Sequence, residues 1–176
     1  MRVLIVGGYG VFGGRLARLL LREPRFEVIV AGRSLNEGSA FCGAHGGQAA
    51  VLDRDTDLSG TLERLKPDVV VDAAGPFQDL AGPSSDRYGL ARAAIRSGAH
   101  YLDLSDDAAF TEGITVLDAL ARNASRCALS GVSSVPALSA AVVRHLAADL
   151  TSIATIDTVI LPGNRAPRGL SVMRGI

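Results

Sequence analysis

The sequence is poor in several features that would narrow its function at once. Its 176 residues include no tryptophan, only two cysteines and no excess charge, because 18 basic residues balance 18 acidic ones. Balanced charge without a basic block argues against nucleic acid as a partner. No apolar run reaches the length of a membrane span, so we expect no membrane partner.

The scarce cysteines also argue against a metal site. Cys42 and Cys127 stand far apart without the spacing of metal ligands, and the three histidines form no ligand pattern either. We interpret the cysteines as small buried residues of a reducing compartment. The N-terminal run VLIV is too short for a signal peptide, so the sequence predicts a cytoplasmic protein with no metal bound.

Apolar runs typical of buried strands alternate with helical patterns along most of the chain. Strands are predicted at residues 2–6, 26–32, 48–53, 67–77, 100–105 and 126–131. Helices follow each of them, with clear patterns at 58–66, 86–97, 107–123 and 137–149. This alternation with short connections predicts an α/β fold of the Rossmann type, a doubly wound parallel sheet with helices on both faces.

The end of the chain departs from this alternation. Residues 153–161 have the pattern of one strand, followed by a tail rich in proline, glycine and arginine. A lone strand cannot satisfy its backbone hydrogen bonds. We therefore expect one domain at 1–150 and, at 151–176, the truncated start of a second domain or a linker. Strand-mediated association into a homodimer would supply the missing pairing.

Five glycines crowd into residues 7–14, between the first strand and the first helix. They satisfy two overlapping patterns, G-x-G-x-x-G and G-x-x-G-x-x-G, which share Gly10 and Gly13. Early glycines make the turn, Gly10 lets a diphosphate approach the backbone, and Gly13 lets the helix pack closely. Free N–H groups around Gly10–Phe12 would face the anion.

The strand–turn–helix context predicts a nucleotide site rather than a structural turn. The predicted set is Gly7, Gly8, Gly10, Val11, Phe12 and Gly13.

The end of the second strand indicates which dinucleotide is bound. NAD-type sites usually carry an acidic residue about 20 positions after the turn, whereas this chain has Gly32, Arg33 and Ser34. Glu37 has capping-box spacing from Ser34 and is better used there. Arg33 can pair with a 2′-phosphate, helped by the Ser34 hydroxyl, which favours NADP(H) over NAD(H). The alternative is that Arg33 is an ordinary surface arginine.

Two other strands end in candidate ligand groups. Residues 73–77, AAGPF, leave room for a ligand at the carboxyl end of the fourth strand. Asp53 follows the third strand and has two interpretations, an acceptor for the adenine amino group or the N-cap of the next helix. Both stay open at this point.

The fifth strand carries polar side chains on alternate positions. Tyr101, Asp103 and Ser105 share one face of a strand expected to be buried on both sides, so they need hydrogen-bond partners. Tyr101 and Asp103 are candidates for catalysis at the nicotinamide side of the cleft, but a hydrogen-bonded scaffold is the favoured interpretation. Asp106 and Asp107 are predicted to cap the following helix.

The segments VLIVGGYGVFGG, VIVAGRS, PDVVVDAAGPF, YGLARAAIRSGAHYLDLSDD and GVSSVPALS resemble the cofactor-binding half of saccharopine dehydrogenase-like proteins, from residue 1 to the vicinity of residue 145. That group includes saccharopine reductases, carboxynorspermidine dehydrogenases and trans-acting enoyl reductases. The resemblance implies an NADP(H)-binding Rossmann domain. In such proteins a second α+β domain carries most substrate contacts and the dimer sheet.

The resemblance also implies roles for individual residues. Gly7, Gly10, Phe12 and Gly13 would hold the diphosphate, Arg33 and Ser34 the 2′-phosphate, and Ala74, Gly75 and Pro76 the nicotinamide ribose. The chain departs from the family at Ser133 and Ser134, where many relatives carry Asp-Pro, so amino-acid substrates cannot be carried over. Without the second domain, we expect the chain as given to lack a complete active site and to be inactive alone.

These observations favour an NADP-dependent oxidoreductase that transfers hydride to or from a small carbonyl, imine or enoyl substrate. The alternative from another class is an NADP(H)-sensing binding protein without turnover, which the fold alone does not separate from an enzyme. The chain lacks the Tyr-x-x-x-Lys pair of short-chain dehydrogenases. A purely structural domain would leave the glycine cluster and Arg33 unexplained.

Overall fold

The computed structural model describes residues 1–54, 56–78 and 86–161. In these ranges six strands form one sheet: β1 Arg2–Val6, β2 Glu27–Gly32, β3 Gln48–Val51, β4 Val69–Asp72, β5 His100–Asp103 and β6 Ala128–Leu129. All neighbouring strands run parallel, in the order β3-β2-β1-β4-β5-β6. The predicted doubly wound sheet is confirmed.

The order of the strands fixes where a ligand can enter. From the central strand β1 the chain builds outward through β2 and β3, then returns to place β4 on the other side of β1. The loops after β1 and β4 therefore diverge at the carboxyl edge of the sheet and leave a crevice between them. Sheets of this kind bind their ligands at such a reversal of strand order.

The described residues form seven α-helices, of which the first six connect the strands and the last follows β6: α1 Val11–Leu20, α2 Leu35–His45, α3 Leu58–Leu65, α4 Gly89–Arg96, α5 Ala108–Gly113, α6 Asp118–Asn123 and α7 Ser139–Leu146. None of the helices described is both long and apolar enough to cross a membrane.

Two apolar layers cover the sheet, and β1 contributes to both. Leu4 and Val6 belong to the cluster that includes residues of α3, α4 and α6, whereas Val3 and Ile5 belong to the cluster with Ala17 of α1 and nearby α2 side chains. Successive side chains of a strand point to opposite faces. An uninterrupted apolar run is thus what a strand buried on both sides requires.

Some predicted elements are shorter or broken in the structure. The helix predicted at 107–123 consists of α5, a 3₁₀ turn at Ile114–Leu117, and α6. Its break coincides with three β-branched residues, which fit a helix poorly. The hydroxyl of Thr115 also donates to the carbonyl of Glu112 at 3.1 Å, a local bond that competes with helical pairing.

The last predicted helix and strand also need correction. The helix predicted at 137–149 is α7, which is preceded by an irregular turn at Ser134–Leu138 interrupted at Val135. The strand predicted at 153–161 is wrong for the single chain, because these residues form neither helix nor strand. No described segment pairs with them, and a strand needs a partner for its backbone groups. The predicted tail after residue 161 lies outside the described residues.

Candidate nucleotide-binding site

The glycine turn after β1 is tied to β2 by its own backbone. The N–H groups of Gly7 and Gly8 both donate to the carbonyl of Ala31, at 2.8 and 3.1 Å, and the N–H of Gly10 donates to the carbonyl of Gly7 at 2.9 Å. Gly7 has φ of +74°, which residues with a side chain adopt only with strain. The turn therefore has one well-defined shape.

Close packing of α1 on this turn explains Gly13. A Cβ atom at Gly13 would lie 2.2 Å from the carbonyl oxygen of Gly7, so no other residue fits without movement of the backbone. At Gly10, by contrast, the nearest atom to such a Cβ is 3.1 Å away and the residue is exposed. The helix thus lies directly on the turn, and Gly10 is exposed to solvent although a side chain there would also crowd the Gly7 carbonyl.

Three backbone N–H groups remain available at the start of α1. In the described residues no acceptor is paired with the N–H of Val11, Phe12 or Gly13. The N-cap residue Gly10 has no side chain, and the first turn of α1 contains no acidic residue. The prediction that the N–H of Gly10 itself is free is wrong, because the turn uses it. The unpaired donors begin one residue later, at the positive end of the helix.

The turn from β2 to α2 presents donors and no carboxylate. Arg33 is exposed, and the ion pairs among the described residues do not include it. Ser34 is the N-cap of α2, and its hydroxyl oxygen accepts a hydrogen bond from the N–H of Glu37 at 3.3 Å. The predicted helix start is confirmed. Arg33 and the Ser34 hydroxyl hydrogen are therefore placed where an anion could meet them.

Only half of the predicted capping box forms. The N–H of Ser34 donates to the Tyr9 hydroxyl at 2.9 Å, where a capping box would use the Glu37 carboxylate. Tyr9 belongs to the glycine turn, 25 residues away in sequence. Sequence reasoning passed over Tyr9, since periodicity carries no signal for a contact between two loops.

The loop after β4 borders the glycine turn from the other side. The N–H of Ala73 donates to the carbonyl of Val6 at 2.9 Å, which extends the β1–β4 pairing by one bond. A Cβ at Gly7 would lie 2.9 Å from the carbonyl oxygen of Ala73. Residues 73–76 are half-buried. The loop after β4 thus packs against the glycine turn through Ala73. The contact of Ala74, Gly75 and Pro76 with a ligand stays a prediction.

A buried carboxylate anchors this loop. Asp72 ends β4 with no exposed surface, and it accepts hydrogen bonds from the guanidinium of Arg54, from the N–H of Ala74 at 3.1 Å and from the hydroxyl of Tyr101 at 3.3 Å. Arg54 also donates to the carbonyl of Ala74 at 3.0 Å. Burial raises the pKa of the Asp72 carboxyl, and the nearby Arg54 charge opposes that rise.

Tyr101 and Asp103 of β5 are buried and bonded within the protein, although the Oδ2 atom of Asp103 has no hydrogen-bond partner among the described residues. Asp103 accepts from the N–H groups of Ser105 and Gly131 at 3.0 and 2.9 Å, and from the hydroxyl of Ser130 at 2.8 Å. Burial and the charges of Asp72 and Asp103 raise the pKa of Tyr101 well above its ordinary value. Its phenol therefore keeps its proton at neutral pH, so it is a poor proton-transfer group.

The acidic residues that cap the helices are only partly the predicted ones. Asp57, rather than Asp53, caps α3, since its carboxylate accepts from the N–H of Gly60 at 3.0 Å. Asp107 caps α5 by accepting from the N–H of Phe110 at 2.6 Å, as predicted. Asp106 is not a cap, because its carboxylate accepts from the side chain of Gln78 at 3.3 Å. Asp53 follows β3 and does not cap α3, so the cap interpretation is wrong, and its contact with the adenine amino group stays a prediction.

The geometry fits a dinucleotide. Unpaired amides at the start of α1 suit a diphosphate, the donors at the start of α2 suit a second anion, and the half-buried loop after β4 borders the same crevice. A doubly wound sheet with a glycine turn at the reversal of strand order defines a dinucleotide-binding domain.

Comparisons with known proteins agree with this class. The profile of the saccharopine dehydrogenase NADP binding domain matches residues 3–140. The chain therefore belongs to this family, and the predicted NADP(H) cofactor and family resemblance are confirmed.

Individual relatives share only part of their length with the chain. An N-acetyl-gamma-glutamyl-phosphate reductase of Gloeobacter violaceus is 34% identical over 110 residues, which are 62% of this chain and 29% of that protein. A 4-hydroxy-tetrahydrodipicolinate reductase of Shouchella clausii is 31% identical over 75 residues, 43% of this chain and 28% of that protein. The chain thus matches less than a third of either curated relative.

A solved structure shares the fold. Saccharopine dehydrogenase (L-Glu forming) of Saccharomyces cerevisiae in its apo form has a TM-score of 0.63 at 21% identity, covering 84% of this chain and 32% of that one.

Proposed function

We propose that the chain is the cofactor-binding part of an NADP-dependent oxidoreductase that acts on a small carbonyl, imine or enoyl compound. The observation that carries this proposal is the set of three unpaired amides at Val11, Phe12 and Gly13, held on a turn that admits no side chain at Gly13. When bound, the nicotinamide ring gives or takes a hydride, and the protein supplies orientation and electrostatics.

The proposed roles follow the positions of the residues around the crevice. The glycine turn and the start of α1 bind the diphosphate through Gly7, Gly8, Gly10, Val11, Phe12 and Gly13. Arg33 and Ser34 hold the 2′-phosphate, and Asp53 accepts from the adenine amino group. Ala74, Gly75 and Pro76 position the nicotinamide ribose, and Arg54 and Asp72 fix that loop from below.

We assign Tyr101 and Asp103 to the scaffold rather than to catalysis. Both have less than 2% exposed surface, and the Tyr101 proton is held by Asp72. The catalytic groups would then come from a second domain that begins after residue 150. That division into 1–150 and 151–176 is part of the proposal.

One observation favours the alternative, an NADP(H)-sensing protein without turnover. At the nicotinamide end of the described sheet the ionisable groups Asp72, Tyr101 and Asp103 are buried and bonded to protein groups. None of these three groups is thus accessible to a substrate in the described part of the chain. Turnover would require a proton-transfer group from another part of the protein, whereas sensing would not.

We further propose a cytoplasmic homodimer. Cys42 is half-buried and Cys127 is exposed, so the prediction that both are buried is wrong, but both are free thiols, which suits a reducing compartment. Residues 153–161 expose several large apolar side chains, among them Val159 at 77% and Leu161 at 87%, and they lack a strand partner within the described chain. Pairing with a second copy would cover them.

Thermal unfolding with NADPH and with NADH tests the proposal. A ligand present at 100 times its Kd stabilises the folded state by about 2.7 kcal/mol. We expect NADPH to raise the melting temperature at lower concentration than NADH. No shift with either compound would contradict dinucleotide binding, and equal shifts would contradict the role of Arg33. Turnover of the full-length protein with carbonyl, imine and enoyl panels then separates an enzyme from a sensor.

A further inference from the structure

Tyr9 occupies an unusual place for a residue inside a glycine turn. It lies between Gly8 and Gly10, is half-buried, and packs its ring on the end of β2. A Cβ atom at Gly32 would lie 2.4 to 2.7 Å from the Tyr9 hydroxyl and ring atoms, and one at Gly38 of α2 would lie 3.7 Å from the same ring. The ring therefore fills the space into which a side chain at Gly32 would extend.

This packing excludes an acidic residue from the end of β2. In NAD-type sites a carboxylate near this position accepts hydrogen bonds from the ribose hydroxyls. With the Tyr9 ring in place, Gly32 cannot carry any side chain. The aromatic ring thus removes the group that would favour NAD(H).

The Tyr9 hydroxyl adds a donor where the carboxylate would have been an acceptor. Its oxygen accepts from the N–H of Ser34 at 2.9 Å, and no acceptor for its hydrogen is found in the described residues. A phenol donates one hydrogen bond as well as accepting. Tyr9, Ser34 and Arg33 together present donors at one turn, which suits a phosphate monoester because its oxygens are acceptors.

We propose that Tyr9 determines selectivity for NADP(H) over NAD(H), by filling the space at Gly32 and by directing its hydroxyl hydrogen to the 2′-phosphate. The inference rests on the proposed function, in which the 2′-phosphate lies at the start of α2. It goes beyond that function by linking the diphosphate turn to the 2′-phosphate turn through one side chain.

The variant Tyr9→Phe tests the hydroxyl while keeping the ring against Gly32. Kd values for NADPH and NADH are measured separately by the fluorescence of the reduced nicotinamide. We expect the Kd for NADPH to rise about tenfold, as for the loss of a hydrogen bond to a charged group. The Kd for NADH should change by less than about twofold, because NADH lacks the 2′-phosphate.

Tyr88→Phe is the matched control. It removes a buried phenol hydrogen bond of similar length, from the Tyr88 hydroxyl to the carbonyl of Phe110 at 2.8 Å, on the other half of the sheet. This variant should leave the ratio of the two Kd values unchanged. Circular dichroism of all variants checks that the fold is retained.

A second variant tests whether the Tyr9 ring acts by filling the space at Gly32. Tyr9→Ala combined with Gly32→Asp opens the space beside β2 and places a carboxylate in it, so the preference should move toward NADH by tenfold or more, on the order of one charged hydrogen bond. The inference is overturned if both variants keep the wild-type ratio, or if Tyr9→Phe weakens both cofactors equally. If the wild-type chain binds neither cofactor, the proposed function fails and the inference fails with it.

Discussion

Gly13 and Gly7 illustrate how a single contact between backbones restricts the residues at a binding turn. Their approach brings the first turn of α1 directly over the loop after β1. The amides of that turn are unpaired because the first N–H groups of a helix have no intrahelical acceptor and the N-cap Gly10 has no side chain to cap them. Amides that water alone satisfies are ready to bind an anion without any rearrangement of the protein. Function at this site therefore depends on the absence of side chains at Gly7 and Gly13 and of a carboxylate in the first turn of α1.

Gly13→Ala should disrupt the turn. A methyl group 2.2 Å from the Gly7 carbonyl oxygen forces the backbone apart, so we expect a loss of about 3 kcal/mol in the free energy of unfolding. NADPH binding should be lost together with the turn. Urea unfolding and NADPH titration measure the two effects.

Gly43→Ala is the control for that substitution. Gly43 lies inside α2 with nothing within 4 Å of its hypothetical Cβ. Alanine there should stabilise the protein by about 0.5–1 kcal/mol and leave NADPH binding unchanged. Equal losses in both variants would show that glycine flexibility, and not the close contact, governs the turn.

Arg54→Gln should make stability depend more strongly on pH. Burial raises the pKa of Asp72 and Arg54 opposes the rise, so without Arg54 the pKa rises further. A group whose pKa is raised on folding contributes stability below its unfolded pKa, and that stability is lost as pH rises through the folded pKa. We expect a loss of about 3–5 kcal/mol at pH 8 and a smaller loss near pH 4.

Urea unfolding across that pH range measures the effect of Arg54→Gln. In the double variant Arg54→Gln with Asp72→Asn the buried carboxyl is absent, so the added pH dependence should disappear. A loss that is the same at every pH would mean that Arg54 acts through packing and its bond to Ala74 alone.

Sequence reasoning at this scale found the residues whose role is local. The glycine turn, Ser34 as a cap and Asp107 as a cap follow from spacing along a few residues. It missed Tyr9 and Arg54, because each acts on a residue at least 18 positions away, and only the fold brings them together. It considered Asp53 as a cap of α3 but not Asp57, whose carboxylate makes the capping bond.

Among the helices and strands, too, the features that depend on neighbouring residues could be predicted from the sequence, and those that depend on the fold could not. β1 was predicted with its observed bounds, because burial on both faces leaves an uninterrupted apolar run. The boundary of β4 was overestimated, since the apolar composition continues through AAGPF after the strand has ended at Asp72. Composition alone does not mark where a strand stops pairing and a loop begins.

At the scale of one helix, Asp107→Ala should weaken the start of α5. The Asp107 carboxylate accepts from the N–H of Phe110, whose ring is fully buried, so loss of the cap should lower the free energy of unfolding by about 1 kcal/mol. Asp106→Ala removes a neighbouring carboxylate with no capping bond and should change it by less than about 0.5 kcal/mol. Equal effects of the two variants in urea unfolding would contradict the assignment of the cap.

For the whole molecule, the apolar segment 153–161 is the feature that the single chain leaves uncovered. The sequence pattern predicted a strand there, and the strand is absent because no described segment pairs with its backbone. The six-stranded sheet needs no such partner, so its architecture could be predicted from one chain while the conformation of this segment could not.

A charge in this segment should prevent the proposed dimer. We expect Val159→Asp to shift the chain from dimer to monomer in sedimentation velocity, because an exposed apolar contact would have to bury a carboxylate. Thr151→Asp adds the same charge just outside the segment and should leave the dimer intact. A wild-type chain that stays monomeric at all concentrations would contradict the proposed homodimer.

The claim on which the other conclusions depend is that the start of α1 holds the diphosphate of NADP(H) through unpaired backbone amides. Amide proton–nitrogen correlation spectra of the chain, recorded during titration with NADPH, test it directly. We predict that the signals of Val11, Phe12 and Gly13 shift most, with the exposed Gly43 amide of α2 unchanged. Saturable binding that leaves those three signals in place, or the absence of binding, would contradict the claim.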